Sequence, residues 1–273
     1  GEKENSGRAP SPNIPKEQQA GRVGFGNYVP DEVNNTEIIR RHLLLTSPNN
    51  NACQSTISFS TLLALRYLQQ KGISHTQTND KFLKLQIGKV VFHPLESNTA
   101  GYHQIDAFGD QILLNYRASQ QVAEQVTLEQ VLEGKISPNL IQGRIILIGT
   151  TDFRFKGWHR TPLGEMSGVV LQAHMTSQII SRVVDQRPFL WWFPAWGEVL
   201  WIGTWTLAGG IVAWRFRSLL VISLVGGFTL IILYGCCYLL LVTKAAWIPL
   251  IPSVIGLGVA QGAVLINQRL LNK

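Results

Sequence analysis

Three long apolar segments near the C-terminus dominate the pattern of hydrophobic and polar positions. Residues 218–243 and 245–266 contain no charge, and residues 199–214 are uncharged and follow Glu198 directly. About 20 residues at ~1.5 Å each cross a hydrocarbon core of ~30 Å. The pattern therefore predicts an all-α membrane region of three helices at 195–267, with the lipid bilayer as a partner. The spans fall at about 195–214, 218–243 and 246–267.

Aromatic and small residues support this interpretation. Tryptophan favours the membrane interface, where its ring is half buried and its N–H stays hydrated, and the flanks of these segments carry Trp191, Trp192, Trp196, Trp214 and Trp247. Glycine pairs inside the spans would allow close helix approach and a dimer through the transmembrane helices. The general frequency of glycine in membrane helices explains the pairs equally well.

The chain before the spans alternates between short apolar runs and amphipathic stretches, which predicts an α/β domain at 22–190. Residues 1–21 are polar and rich in Pro and Gly, which is typical of a flexible arm. Residues 49–51 and 74–81 have loop composition. The pattern predicts strands at 22–28, 38–45, 82–87, 89–92 and 110–116, and helices at 58–70, 127–134 and 171–184.

The run at 145–150 is the clearest strand candidate of this domain. It is rich in isoleucine and lies between polar residues, which favours a strand buried on both faces of a parallel sheet. Loops at the carboxyl ends of such strands tend to form ligand crevices. The residues that follow it are therefore candidates for ligand binding.

That loop concentrates charge. It holds Asp152 with Arg154, Lys156, His159 and Arg160. Cations beside one acid would suit an anionic small molecule or an anionic protein ligand, and the pair Arg40 and Arg41 on the predicted strand 38–45 would add to them. A solvated charged loop and a charged strand face are the competing interpretations.

Other chemistry finds little support. The net charge of +7 owes much to cations beside the spans, and no basic stripe with interleaved aromatics predicts nucleic-acid binding. Cys53, Cys236 and Cys237 form no disulfide framework. The histidines, His174 among them, lack metal-ligand spacing. Because no catalytic or nucleotide-binding motif occurs, we expect neither enzymatic activity nor a metal or other cofactor.

A series of short motifs resembles a known family. They occur in order as Gly24-Phe-Gly-Asn27, Arg40-Arg41-x-Leu43, the stretch 58–68, Ile112-Leu-Leu-Asn-Tyr116, Arg144-Ile-Ile-Leu-Ile-Gly149, Thr161-Pro162 and the stretch 168–174, followed by 196–201 at the first span. Together they resemble the second type of CHASE domain over residues 22–266. This family is the extracytoplasmic sensory module of bacterial cyclases and kinases.

The resemblance implies a membrane-bound sensor that couples an external signal to a cytoplasmic cyclase or kinase. In the family one span precedes the sensor, and three spans and an effector follow it. We therefore expect the chain to hold a partial sensor domain, without its effector and with unpaired strand edges. A membrane-anchored scaffold or accessory subunit is the alternative function.

The resemblance and the charges between the spans imply the same orientation. Arg215 and Arg217 follow the first span, Lys244 alone follows the second, and Arg269 and Lys273 follow the third. The positive-inside rule places the first loop and the 268–273 tail in the cytoplasm. The chain is then a multi-pass protein of the bacterial inner membrane, with residues 1–195 outside the cytoplasm.

Overall fold

A computed structural model describes residues 10–19, 21–47, 55–79, 83–98, 101–117, 121–155, 157–216 and 218–271. The predicted 49–51 loop lies outside these ranges, as do residues 1–9 and 20 of the predicted arm. The chain forms two compact units. The first comprises Gly1–Leu95 and Ala107–Arg187, and the second comprises Glu96–Asp106 and Pro188–Lys273.

The first unit is a mixed α/β domain. Its described elements in chain order are α1 (Lys16–Gln19), β1 (Val29–Val33), β2 (Thr36–Leu45), α2 (Phe59–Gln70), β3 (His75–Asn79), β4 (Leu83–Ile87), β5 (Val90–Val91), β6 (Asp110–Leu113), α3 (Leu128–Leu132), β7 (Trp158–Thr161), β8 (Gly164–Ser167) and α4 (Gly168–Val184).

The central sheet has the order β1-β2-β6, and both pairings are antiparallel. Asn34 and Asn35 join β1 to β2 with φ of 50° and 60°, the conformation that a tight two-residue hairpin turn requires. The hairpins β3-β4-β5 and β7-β8 are also antiparallel. The expected parallel sheet was therefore wrong for the described strands of this unit.

Two helices complete the core of the first unit. The Ser58 side chain accepts a hydrogen bond from the Thr61 N–H and caps α2, which packs against α4. Apolar side chains of β2 and α4, together with neighbouring residues, form one cluster. Its buried members are Ile39, Leu114, Met166, Leu171 and Met175.

The predicted strand at 145–150 is absent from the structure, so that expectation was wrong. The segment is described but pairs with no described strand, and Ile146 and Ile148 are 56% and 93% exposed. A strand buried on both faces needs a strand on each side and a covering layer on each face. No neighbouring strand among the described residues meets that requirement here.

The predicted loop at 74–81 was also wrong, because it contains β3. Strand β4 is the partner of β3, with His75 opposite Ile87 at one end and Asn79 opposite Leu83 at the other. Polar residues form a strand when a hairpin partner satisfies their backbone groups. The predicted strand at 22–28 was also wrong, because these residues form only an isolated bridge at Phe25 and β1 begins at Val29. The remaining predicted elements are present, with α4 beginning three residues earlier.

The second unit is mainly helical. Its described elements are β9 (Trp191–Trp192), α5 (Ala195–Arg215), α6 (Leu219–Lys244), β10 (Ala246–Trp247) and α7 (Leu250–Leu271). Strands β9 and β10 pair in parallel. Among the described helices, α6 and α7 are long and apolar enough to cross a membrane. Only 17% and 11% of their apolar windows are buried, unlike the core helix of a soluble protein.

Candidate functional site

Within the charged loop after residue 150, Asp152 and Arg154 form an ion pair with each other. The backbone N–H of Arg154 donates to Asp152 Oδ1 at 2.9 Å, and its Nε lies 3.0 Å from Oδ2. The hydrogen bonds from the Arg154 side chain, and then from its backbone, lower the pKa of Asp152. Because the Arg154 side chain is 76% exposed, this pair adds little stability. Lys156 lies outside the described residues.

The two arginines of β2 have different surroundings. Arg41 is buried, and its Nε donates to Asp31 Oδ1 at 2.7 Å while its Nη1 donates to Gln111 Oε1 at 2.7 Å. Arg41 thus links β1 to β6 across the sheet. Arg40 is half-buried, and its backbone carbonyl accepts from the Leu114 N–H at 2.8 Å. The structure does not bring the Arg41 guanidinium to the charged loop.

His159 and Arg160 lie together on β7 and line one cavity of about 310 Å³. The other lining residues are Asn35, Thr36, Glu37, Ile39 and Trp158. Arg160 Nε lies 3.3 Å from Glu165 Oε1, and its Nη1 lies 3.4 Å from Thr36 Oγ1. The cavity is therefore lined by the Arg160 cation, which pairs with Glu165 outside the lining, and by the Glu37 carboxylate.

The imidazole of His159 packs edge-on against the ring of Tyr28, with ring centroids 4.4 Å apart. Burial lowers the pKa of His159, and the nearby Glu37 acts in the opposite direction. Burial therefore disfavours the charged form of this imidazole.

Tyr28 lines a second cavity, of about 390 Å³. Glycines are prominent in its wall, where backbone rather than side chain faces the cavity. The lining residues are Gly24, Gly26, Tyr28, Phe59, Leu147, Ile148, Gly149, Thr150, Gly157, Gly168, Val169 and Gln172.

A short chain of hydrogen bonds fixes the polar groups of this second cavity. The Tyr28 hydroxyl donates to the Gly168 carbonyl at 3.2 Å, and Gln172 Nε2 donates to the Tyr28 oxygen at 3.1 Å. Burial raises the pKa of Tyr28, although the hydrogen bond from Gln172 partly offsets this. The phenol is therefore neutral and can donate only one proton.

Comparison with known families agrees with the fold. A model of the CHASE2 domain matches residues 4–211, which is well over half of the chain. The chain belongs to the CHASE2 family. CHASE2 domains are extracytoplasmic sensory domains and not catalytic ones, so the resemblance stated from the sequence motifs is confirmed. No curated protein and no solved structure matched.

Both cavities lie inside the matched CHASE2 region. Of the residues singled out from the sequence, the structure places His159 and Arg160 in one cavity and Asp152 with Arg154 in a separate surface pair. Within the described ranges, no group of three His, Cys, Asp or Glu side chains is placed to hold a metal.

Sequence reasoning missed Tyr28 and Gln172 in the CHASE2 domain. They are 144 positions apart, and neither belongs to a charged or catalytic motif. The glycines Gly24 and Gly26 were the only local signal, since closely spaced glycines outside a helix indicate a close backbone approach. A Cβ on Gly24 would lie 2.6 Å from the Phe59 nitrogen, which confirms such an approach.

Proposed function

We propose that this CHASE2 protein is the sensory and membrane-anchoring part of a signal-transduction system. The first unit lies outside the cytoplasm and recognises a signal. The helices α5, α6 and α7 all cross the inner membrane and couple that signal to a cytoplasmic effector of the cyclase or kinase type. Coupling requires that the signal favours one of two conformations over the other.

The observation that carries the proposal is the packing of α5 against α7. A Cβ on Gly256 would overlap Thr206 Oγ1, and a Cβ on Gly209 would overlap the Leu257 carbonyl oxygen. Further along, Gln268 Nε2 lies 3.3 Å from the Ala213 carbonyl oxygen. The contacting residues rise in number along both helices, from 206 in α5 with 256 in α7 to 213 in α5 with 268 in α7. The two helices therefore run parallel.

This contact supports a third span. Because α7 is long enough to cross the bilayer, a parallel helix that packs beside it along these residues lies at the same depth. The outward side of α5 is apolar, with Val199, Leu207 and Ile211 60–68% exposed. Such a surface is stable against lipid tails.

Aromatic residues mark one interface of this bundle. Trp191 Nε1 donates to the Lys244 carbonyl at 2.9 Å, and the Trp191 N–H donates to the Ala245 carbonyl at 3.1 Å. The beginning of α5 therefore lies at the same end of the bundle as the end of α6. Trp191 also packs against Phe193 at 5.6 Å, as in the aromatic belts of membrane proteins.

Three spans put the first unit and the C-terminus on opposite sides. Two cations, Arg215 and Arg217, lie at the C-terminal end of α5, and Arg269 and Lys273 lie at the C-terminal end of the chain, whereas Lys244 alone lies at the end of α6. The positive-inside rule then orients the first unit outward.

Cysteine labelling tests the proposal. In a variant without Cys53, Cys236 and Cys237, Ser74→Cys and Asn272→Cys are introduced one at a time. Cells with a permeabilised outer membrane are then treated with a membrane-impermeant maleimide. We expect Ser74→Cys to react and Asn272→Cys to react only after full lysis, which is the control for reactivity. Equal labelling of both positions before lysis, or the reverse order, would contradict the orientation and with it the sensory role.

A further inference from the structure

The cavity of about 310 Å³ lies within the first unit, beside the turn that joins β1 to β2. Its volume is at the lower end of the ~300–1,000 Å³ usual for small-molecule sites, which suits a ligand with a single ring. Strand β7 lines one side through Trp158, His159 and Arg160, and the start of β2 lines the other. Arg160 Nη1 lies 3.4 Å from Thr36 Oγ1 and so connects the two sides.

Three residues of this lining carry polar groups whose hydrogen-bonding capacity the described part of the chain does not use. These groups are the side-chain amide of Asn35, Nη2 of Arg160 and Nε1 of Trp158. All three residues are exposed, so water reaches them. A ligand that offers equivalent hydrogen bonds can replace this water without leaving a polar group unpaired.

The lining both donates and accepts hydrogen bonds. The Asn35 amide does both, the Arg160 guanidinium and the Trp158 indole only donate, and the Glu37 carboxylate only accepts. A carboxylate has about four lone-pair sites, so Glu37 accepts from a ligand in addition to its partners within the chain. A hydroxyl is the ligand group that suits both kinds of neighbour, because it donates one proton and accepts through its oxygen.

The charges around the cavity disfavour an ionic ligand. The Arg160 guanidinium already pairs with Glu165, whose Oε1 lies 3.3 Å from Arg160 Nε. An anion in the cavity would be repelled by this carboxylate and by that of Glu37, whereas a cation would be repelled by Arg160. A neutral ligand avoids both conflicts.

Trp158 adds an apolar surface to these polar groups. The residue is 38% exposed, and Ile39, which lines the same cavity, belongs to the buried core of the unit. An indole that is accessible beside polar side chains suits a molecule with one apolar face and polar edges. The wall behind it is fixed, because His159 packs against Tyr28 with ring centroids 4.4 Å apart.

We propose that this cavity binds a neutral sugar ring. A pyranose combines an apolar C–H face with a rim of hydroxyl groups, which matches the lining. The C–H face stacks on Trp158, and the hydroxyl groups donate to Glu37 and accept from Asn35 and from Arg160 Nη2. This inference rests on the proposed sensory function and gives the signal a chemical class.

Saturation-transfer NMR on the full chain in nanodiscs tests the inference, because it detects weak ligands. The sugar probes are D-glucose, D-galactose and N-acetyl-D-glucosamine. Glycerol offers hydroxyl groups without a ring face, and acetate offers a negative charge. We expect at least one sugar to receive saturation at its ring C–H protons, and none to do so with nanodiscs that lack the protein. Glycerol and acetate should bind roughly tenfold more weakly than that sugar, the effect of losing the stacked face or of adding charge repulsion.

Substitutions separate the roles of the ring and the amide. Trp158→Ala should weaken sugar binding roughly tenfold, whereas Trp158→Phe keeps an aromatic face and should retain most of it. Asn35→Gly removes the amide but tolerates the φ of 60° at this position, and should weaken binding about two- to tenfold, the effect of one hydrogen bond. Phe153→Ala is the matched control, because Phe153 is 81% exposed in the same unit but does not line the cavity. It should leave sugar binding unchanged.

Three results would overturn the inference. They are no saturation of any of the three sugars, binding of glycerol or acetate as tight as that of the best sugar, and sugar binding that survives both Trp158→Ala and Asn35→Gly. Each leaves the sensory function standing if the labelling at Ser74 and Asn272 gives the expected orientation, so the two proposals fail separately.

Discussion

Two regions of this CHASE2 protein expose large apolar side chains, but their backbones differ. In α6, Ile231 is 68% exposed, yet its backbone lies within a continuous helix. In the first unit, Ile148 is 93% exposed in an extended segment that pairs with no described strand. A helix satisfies its own backbone and can be covered by lipid, whereas an unpaired extended segment cannot enter a bilayer. Exposure therefore indicates lipid contact in α6 and water contact at 145–150.

The largest expected effect comes from a charge in the middle of α6. Ile231→Lys places an ammonium group near the bilayer centre and should cost about 3 kcal/mol of apparent insertion free energy. An assay that scores inserted against translocated α6 measures this directly. Leu220→Lys is the matched control, since Leu220 is 69% exposed at the start of the same helix and a lysine there reaches the interface. Equal costs at both positions would contradict a central, lipid-facing Ile231.

A change of pH should alter the stability of the first unit but not that of α6 in the second. His42 on β2 lies 2.7 Å from Ser60 Oγ, and burial lowers its pKa to about 3. Since the unfolded chain protonates this imidazole near pH 6.5, stability is lost as pH falls below that value. From pH 7 to 5 the loss amounts to about 2 kcal/mol.

Asp110 opposes His42 in the same interval. Burial raises the pKa of Asp110 to about 6, so its contribution to stability grows as pH falls through that value. Burial also lowers the pKa of His159, which adds to the acid sensitivity. His42→Gln should therefore make the first unit less acid-sensitive between pH 7 and 5. Hydrogen exchange in β2 peptides of the full chain measures this, with α6 peptides as the internal reference. An unchanged pH profile in the variant would show that His42 is not buried in its neutral form.

The smallest effect is expected at 145–150. Ile148→Lys should change the free energy of unfolding by no more than about 0.5 kcal/mol, because the side chain already contacts water. The thermal midpoint of the full chain in nanodiscs measures this. Ile179→Lys in α4 is the control, since Ile179 is fully buried and a lysine there should be strongly destabilising. A large loss in Ile148→Lys would show that a neighbouring strand covers the segment.

These regions also show how far the sequence determines the fold. The α2 cap at Ser58 and the capping box of Thr127 with Gln130 are local signals, and the structure has both. Strand formation at 145–150 depends on neighbours that a local pattern cannot reveal. The same limit explains β3, whose polar residues form a strand only because β4 pairs with them.

In the candidate site, too, local signals could be predicted from the sequence, whereas contacts between distant residues could not. His159 and Arg160 lie close in the chain, and the prediction of a charged loop found them. The cavity at α4 depends on Tyr28 meeting Gln172, and only the fold brings these residues together. Arg41 was chosen for its charge, but its hydrogen bonds to Asp31 and Gln111 could not be predicted from spacing.

The most direct test of the account is a disulfide between α5 and α7, since the proposal that α5 is a third span depends on their parallel contact. A Cβ on Gly210 would lie 3.9 Å from the Cβ of Ala260, within the ~3.5–4.5 Å that disulfides require. The double variant Gly210→Cys and Ala260→Cys is oxidised in native membranes without the natural cysteines. A protease site between α5 and α6 separates linked from unlinked chains on non-reducing gels.

We expect this pair to link within one chain. The control pair Ile211→Cys and Val259→Cys should not, because both side chains point outward and are 60% and 66% exposed. Linking of the control pair to the same extent, or failure of the Gly210 and Ala260 pair to link, would contradict α5 as a membrane span parallel to α7.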